Sequence, residues 1–354
     1  MRKFLILSFT ILFFIGCSQQ ETKHLSKSKK IDPHKPMSWG HQQTIYVFAD
    51  DNVWKYAEGF LRQNLERFVF TTKNEQFFEI KRAPIQNMDN FYKFNNLIFF
   101  SHLASDQPVS NYIKEIMGSR VEDDIKTNLV GMYPMENVWA NDQFVLFILA
   151  DNEPNLLKFN ILNANQIFEE FKEKLYERIS GQVYKTPVYS AGSFKEYPWE
   201  LKLPKKYILY KKDNKNNFIS FIARLRNSPD RYVSVYFEEM DQNDVGKEWL
   251  KKKRAELAWK YYDEDEFRKE DVRIEKFQLG KHKGWMLSGR WQNLKHTVGG
   301  AFQSFAFFDE KGKKAYLIDN SVYYPEGSKL EALIELEIIS SSIVIKNNQL
   351  AQGD

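Results

Sequence analysis

One cysteine, six histidines and a few aspartates at the ends of apolar runs are the side chains of this sequence whose chemistry could go beyond packing. Cys17 is the sole cysteine, which excludes disulfides within the chain and thiolate-rich zinc sites. Three histidines, His24, His34 and His41, crowd the N-terminal stretch. The other three, His102, His282 and His296, show no i, i+4 pairing of the kind a zinc-binding helix uses. His102, in Ser101-His102-Leu103 at the end of a predicted strand, could act as a base beside Asp106, although a strand-end histidine is more simply solvated. Asp50, Asp51 and Asp151 stand where strands give way to helices, the edge that faces a ligand crevice in open α/β sheets. Carboxylates there could hold a hard cation such as Ca²⁺ or serve as acid and base. They are also preferred helix caps, worth about 1 kcal/mol each, and capping is the expected role. There is no Gly-x-Ser-x-Gly elbow, Walker loop or dinucleotide fingerprint, and Gly299-Gly300 reads as a bulge or tight turn. No metal or cofactor is therefore expected, and any catalytic set is confined to Asp50, Asp51, Asp151 and His102.

The N-terminus places Cys17 in a different chemistry. Arg2 and Lys3 precede an uncharged apolar run over residues 4–15, shorter than the roughly 20 residues of a spanning helix. The run ends in Phe14-Ile15-Gly16-Cys17, which resembles a bacterial lipobox: a small residue before the cut and a cysteine whose thiol receives lipid. Residues 1–16 are thus predicted to be a signal peptide and Cys17 a lipidation site. Each buried methylene contributes about 0.8 kcal/mol, so two or three acyl chains anchor durably where one does not. Ser18 lacks the Asp that retains enterobacterial lipoproteins in the inner membrane, and by that analogy the expected address is the outer membrane, facing the periplasm.

Charge adds little to this. The formal net charge of +4 falls to about +2 without Arg2 and Lys3, too weak a field for nucleic acid. Residues 17–39, polar and carrying Lys23, Lys27, Lys29, Lys30 and Lys35, read as a lipid-anchored flexible tether. With 43% hydrophobic residues and 29 phenylalanines, the remainder can build packed cores.

The elements that position the candidate residues follow a strand, cap and amphipathic-helix order. The first copy is a strand at 44–49, Asp50-Asp51-Asn52, then Trp54, Ala57, Leu61, Leu65 and Phe68 at helical spacing. The second is a strand at 144–150 followed by Asp151-Asn152-Glu153-Pro154 and a helical segment through Ile179. With strands at 77–82, 96–101 and 128–133 and a helix at 109–117, residues 40–182 are predicted to form an α/β domain. Residues 183–198, aperiodic and holding Pro187, Gly192 and Pro198, read as a linker. Beyond it lie strands at 199–203, 218–225, 232–237, 272–279, 284–291, 301–308 and 314–322. Asp244 is expected to cap a helix from Val245 to Tyr262, and a last helix spans 328–339. This predicts an α+β sandwich with an antiparallel sheet over residues 199–346, before a polar tail at 347–354. In the first of these helices Leu250, Leu257 and Tyr261 mark the buried side, so Lys251-Lys252-Lys253-Arg254 reads as a solvated flank.

Gly289-Arg290-Trp291-Gln292-Asn293, Val298-Gly299-Gly300-Ala301-Phe302, Asp309-Glu310, Val322-Tyr323-Tyr324-Pro325 and the C-terminal helix together resemble a known family. It is the group of uncharacterised Bacteroidota lipoproteins called domain of unknown function 4837; Val298 and Ala301 depart from its usual Met and Pro. Ser38-Trp39-Gly40, Asp50-Asp51 and Trp54 also fit its opening. The resemblance implies an envelope lipoprotein and no catalytic residues to carry over, and the C-terminal half is similar in outline to PsbP-type binding modules. The expected role is a non-catalytic binding or assembly module meeting an envelope protein or glycan. The alternatives are an envelope hydrolase using the strand-end carboxylates and a structural spacer.

Overall fold

Strands covered on both faces read as unbroken apolar runs, and residues 96–102 and 144–150 are buried without exception. In the computed structural model, which describes residues 31–190 and 192–346, they form the centre of a five-stranded sheet. The signal segment, Cys17 and the tail at 347–354 lie outside the described residues. The N-terminal elements are β1 (Thr44–Phe48), α1 (Asp51–Leu65), β2 (Phe68–Phe70), β3 (Asn74–Gln76), β4 (Glu79–Arg82) and β5 (Asn96–His102). Then come α2 (Pro108–Met117), α3 (Ser119–Asn128), β6 (Val130–Glu136), β7 (Phe144–Ala150), α4 (Glu153–Leu162) and α5 (Ala164–Val183). The sheet order is β4-β1-β5-β7-β6, parallel except for β6. Alternate residues of β1, β5 and β7 pack against α1, α4 and α5 on one face and against α2 and α3 on the other. This is the α/β domain that the pattern predicts.

The C-terminal elements are β8 (Trp199–Glu200), β9 (Ile208–Asp213), β10 (Phe218–Ala223), β11 (Asp230–Glu239), α6 (Lys247–Tyr261), β12 (Val272–Leu279) and β13 (His282–Asn293). They continue with β14 (Val298–Asp309), β15 (Lys314–Tyr323), α7 (Leu330–Ser341) and β16 (Val344–Ile345). Seven of these strands make one antiparallel sheet, β12-β13-β14-β15-β11-β10-β9. Neighbours point to opposite faces: Phe218 and Leu317 lie beneath α6, Ile219 and Ile318 beneath α7. An α+β domain on an antiparallel sheet is again what the sequence pattern predicts.

Several local expectations change. Asp244 belongs to a short 3₁₀ turn and Gly246 occupies the N-cap of α6, which starts at Lys247. Gly299 and Gly300 make no bulge but sit in regular register opposite Gln292 and Trp291. A Cβ on Gly300 would lie 2.0 Å from the Val322 carbonyl and 2.7 Å from Trp291 Nε1, so close packing explains that glycine. Arg254 is buried, its guanidinium 4.0 Å from the Phe302 ring centroid and 3.5 Å from Asp319, rather than part of a solvated flank.

The expected tether and linker are also shorter than their composition implies. Asn141 hydrogen-bonds the backbone of Asp32 and Lys35, the Lys35 ammonium donates to the carbonyls of Asn137 and Val138, and Trp39 stacks on Phe94, so the chain is docked from residue 32. Within 183–198, Phe194 and Tyr197 are buried and pack on Trp199, making this stretch core rather than spacer. One apolar cluster therefore runs from α1 and α5 through Phe194 and Trp199 to α7.

Candidate functional site

The carboxyl edge of the parallel sheet gathers three of the four predicted residues, but as structure. Asp50 leaves β1 almost fully buried, and its side chain does not cap α1. It crosses to α2, accepting from the Val109 amide at 2.9 Å and the Ser110 amide at 3.3 Å. Asp51, nearly all exposed, pairs with Arg82 at 2.5 Å and stands apart. Asp151 accepts from the Asn152 amide (2.8 Å) and the Asn155 side chain (2.7 Å), and Asn152 in turn caps α4. Every carboxylate here is committed to a helix start or an ion pair.

His102 is buried at the end of β5, not solvated, and neither ring nitrogen has a hydrogen-bond partner among the described residues. Desolvation holds its pKa below the ordinary histidine value, against the raising effect of Glu153, Asp50 and Asp151. The imidazole is neutral and enclosed, without the hydrogen-bonded orienting carboxylate that a working base needs. Among the described residues, no group of three or more His, Cys, Asp or Glu side chains is placed to hold a metal ion.

The cavity that could hold a ligand lies elsewhere, at one end of the antiparallel sheet on its α6 side. It encloses about 230 Å³. Tyr210 from β9, Tyr232 from β11, Trp291 from β13 and Tyr323 from β15 bring aromatic rings to it, joined by Tyr262 at the end of α6. Arg224, Asp263, Asp265, Asn293 and His296 supply polar atoms. The sequence segments around Trp291, Val298 and Tyr323, read separately as motifs, converge here.

Local folding explains how Asp265 reaches this site. After α6, Asp263 and Glu264 both take left-handed backbone angles (φ 54° and 73°), a conformation that costs a non-glycine residue on the order of 1 kcal/mol. The double turn sends the chain back along the sheet end, where Glu266 bridges to Gln292. Asn293 then donates to both the Asp263 carbonyl and Asp265 Oδ1, each at 2.8 Å. Asp265 is only 8% exposed. Burial raises its pKa to about 6, in spite of the opposing Asn293 hydrogen bond and the Arg254 charge. The carboxyl therefore changes charge near neutrality, where an ordinary aspartate would not.

Behind the cavity, polar groups fix the walls. The Tyr262 hydroxyl and Ser234 Oγ share a hydrogen bond, and Ser304 Oγ donates to Asp319. Trp291 Nε1 is buried with no acceptor, beside the space that Gly300 leaves open. Sequence reasoning missed this site because its residues come from five strands and a loop. The available signal was the aromatic residue recurring at one end of successive strands, which period-two patterning absorbs into strand assignment.

Comparison with known proteins adds family and little else. Residues 193–342 match the model of a domain of unknown function (DUF4837), and residues 38–184 match that of another (DUF8532). No curated protein matches the chain. Among solved structures it is similar to a protein of Bacteroides thetaiotaomicron VPI-5482, at 9% identity over 45% of this chain and 47% of that one, with a TM-score of 0.29. It thus spans about half the length of that protein. It is also similar to the Ran-binding protein Mog1p of Saccharomyces cerevisiae, at 8% identity over 45% of this chain and 96% of that one, with a TM-score of 0.31. LpqN, involved in cell envelope biogenesis of Mycobacterium tuberculosis, aligns at 10% identity over 64% of this chain and 96% of its own, with a TM-score of 0.25.

Proposed function

We propose, from the premise that residues 193–342 are a DUF4837 domain and residues 38–184 a DUF8532 domain, that this protein is a non-catalytic binding or assembly module of the cell envelope, anchored by lipid on Cys17 at the outer membrane and facing the periplasm. The address rests on the charged start, apolar run and lipobox of residues 1–17. The binding reading rests on one observation: a cavity walled by aromatic rings that closes on a buried carboxyl held by Asn293. Small-molecule sites set fixed polar groups among apolar and aromatic walls, and here five aromatic residues share the lining with six polar or charged ones. Asp50 and Asp151 lend the hydrolase reading little support, since their oxygens accept from backbone and side-chain amides, and Asp51 stands apart on the surface beside Arg82.

The test is occupancy. Val298 lines the cavity at the start of β14, where a larger β-compatible side chain fills space without breaking the ladder. Protein purified from envelopes under native conditions should carry a small molecule detectable by mass spectrometry, depleted at least about tenfold in Val298→Phe. If wild type and variant carry the same species, or wild type carries none, the cavity is not the ligand site and the spacer reading gains.

A further inference from the structure

The charges around the cavity specify its occupant further, provided the cavity is the ligand site. Arg224 is paired with Asp230 at 2.8 Å, Asp263 lies 3.7 Å from Lys211, and behind the wall Arg254 is matched to Asp319 at 3.5 Å. Asp265 has no such partner among the described residues. Its Oδ1 takes one neutral amide hydrogen bond from Asn293, and its Oδ2 accepts from no described residue. A carboxylate removed from water with no ion pair of its own, and only the more distant Arg254 charge to offset it, is costly, and the complement of that cost is a cation.

Two further features act in the same direction. Rings from Tyr232, Tyr262, Trp291 and Tyr323 line the space, and aromatic rings attract ammonium groups through the negative charge density of their faces. The carboxyl end of α6 also reaches the cavity at Tyr262, bringing the negative end of the helix dipole. Size limits the choice. A volume of about 230 Å³ falls below the roughly 300–1,000 Å³ of pockets for drug-sized ligands, so the occupant is a headgroup-sized molecule and not an oligosaccharide.

We infer that the cavity binds a small organic cation, an ammonium group on a short carbon chain, with the ammonium between the aromatic rings and the Asp265 carboxylate. Charge is what separates this from a neutral saccharide, which aromatic rings and an Asp–Asn pair could also bind. A saccharide needs acceptors and donors in balance, whereas the carboxylate at this cavity makes no ion pair among the described residues and stands among five aromatic rings.

Choline is a suitable probe because its charge does not titrate. The groups facing Asp265 are Arg254 on α6, Asp319 on β15, Asp263 in the loop and His296 in the β13–β14 turn. With a carboxyl that loses its proton near pH 6, choline should bind about tenfold more weakly at pH 5 than at pH 7.5, since about a tenth of the carboxyl is then ionised. Calorimetric or NMR titration of the full chain with choline, and separately with N-acetylglucosamine, at both pH values provides the test. Asp265→Asn should abolish the pH dependence and weaken choline at least about tenfold. Tyr323→Leu at the cavity rim should also weaken choline, and checks the assignment should Asp265→Asn fail to fold. A parallel arm with phosphatidylcholine vesicles tells a free solute from a membrane headgroup, and either source supports the cation. Binding of the saccharide but not choline, or choline binding indifferent to Asp265→Asn, overturns the cation while leaving the cavity as the site. Binding of neither probe to the wild type, with the cavity empty after native purification, overturns both.

Discussion

Asp50 shows how far a residue's role can be read from type and position, and where that stops. An aspartate between a strand and a helix reads as a cap, and it is one; the sequence names the wrong helix because the recipient amides belong to Val109 and Ser110, 59 and 60 residues away. Only the alignment of β1 beside β5 brings them together. Asp50→Ala removes the acceptor from two buried amides and should destabilise the protein by about 1–3 kcal/mol. Asp50→Asn, which keeps one acceptor oxygen, should cost less. Urea unfolding of the two variants measures this, and equal midpoints for both and wild type would show that α2 needs no cap. Asp265 was illegible for a related reason. In an acidic run 263–266 it looks like any solvated charge, and its burial depends on two left-handed residues and on Asn293, none of which leaves a periodic trace.

At the scale of elements, the long apolar strands and helices were legible because burial on one or two faces writes itself into spacing. The losses are elements whose sequence pays for exposure instead. β9 carries Ile208 and Leu209 in solvent and two lysines, the marks of a protected sheet edge. α3 buries Ile125 and presents mostly polar residues. The β2–β3 hairpin is three residues on each side, too short for a pattern, yet it carries Glu75. That carboxylate accepts from Ser328 Oγ, from the Lys329 amide and from the Leu330 amide at 2.9 Å, so a hairpin of the N-terminal domain caps α7 of the C-terminal one. A negative charge at a helix start also complements its dipole. Glu75→Ala leaves two amides without an acceptor and should cost about 2–4 kcal/mol, with Glu75→Gln in between. Hydrogen exchange should accelerate first at residues 328–331. If exchange there matches wild type, α7 is held by packing against α5 and the cap is incidental.

For the molecule as a whole, the proposed attachment to the membrane has candidate sources that differ in magnitude. Among the described residues no helix is long and apolar enough to cross a bilayer. Without Arg2 and Lys3 the net charge is about +2, so a general electrostatic attraction is weak. The basic cluster beside the lipobox is smaller than its sequence implies, because Lys35 is spent on the carbonyls of Asn137 and Val138. That leaves Lys23, Lys27, Lys29 and Lys30, worth about 1 kcal/mol each against an anionic surface and screened by salt. Two or three acyl chains, at about 0.8 kcal/mol for each buried methylene, exceed this several-fold. Cys17→Ala should therefore move the protein from the membrane to the soluble fraction at physiological ionic strength, read by fractionation. Release only on raising the salt would assign attachment to the four lysines, and retention at all salt concentrations would assign it to a surface of the folded domains.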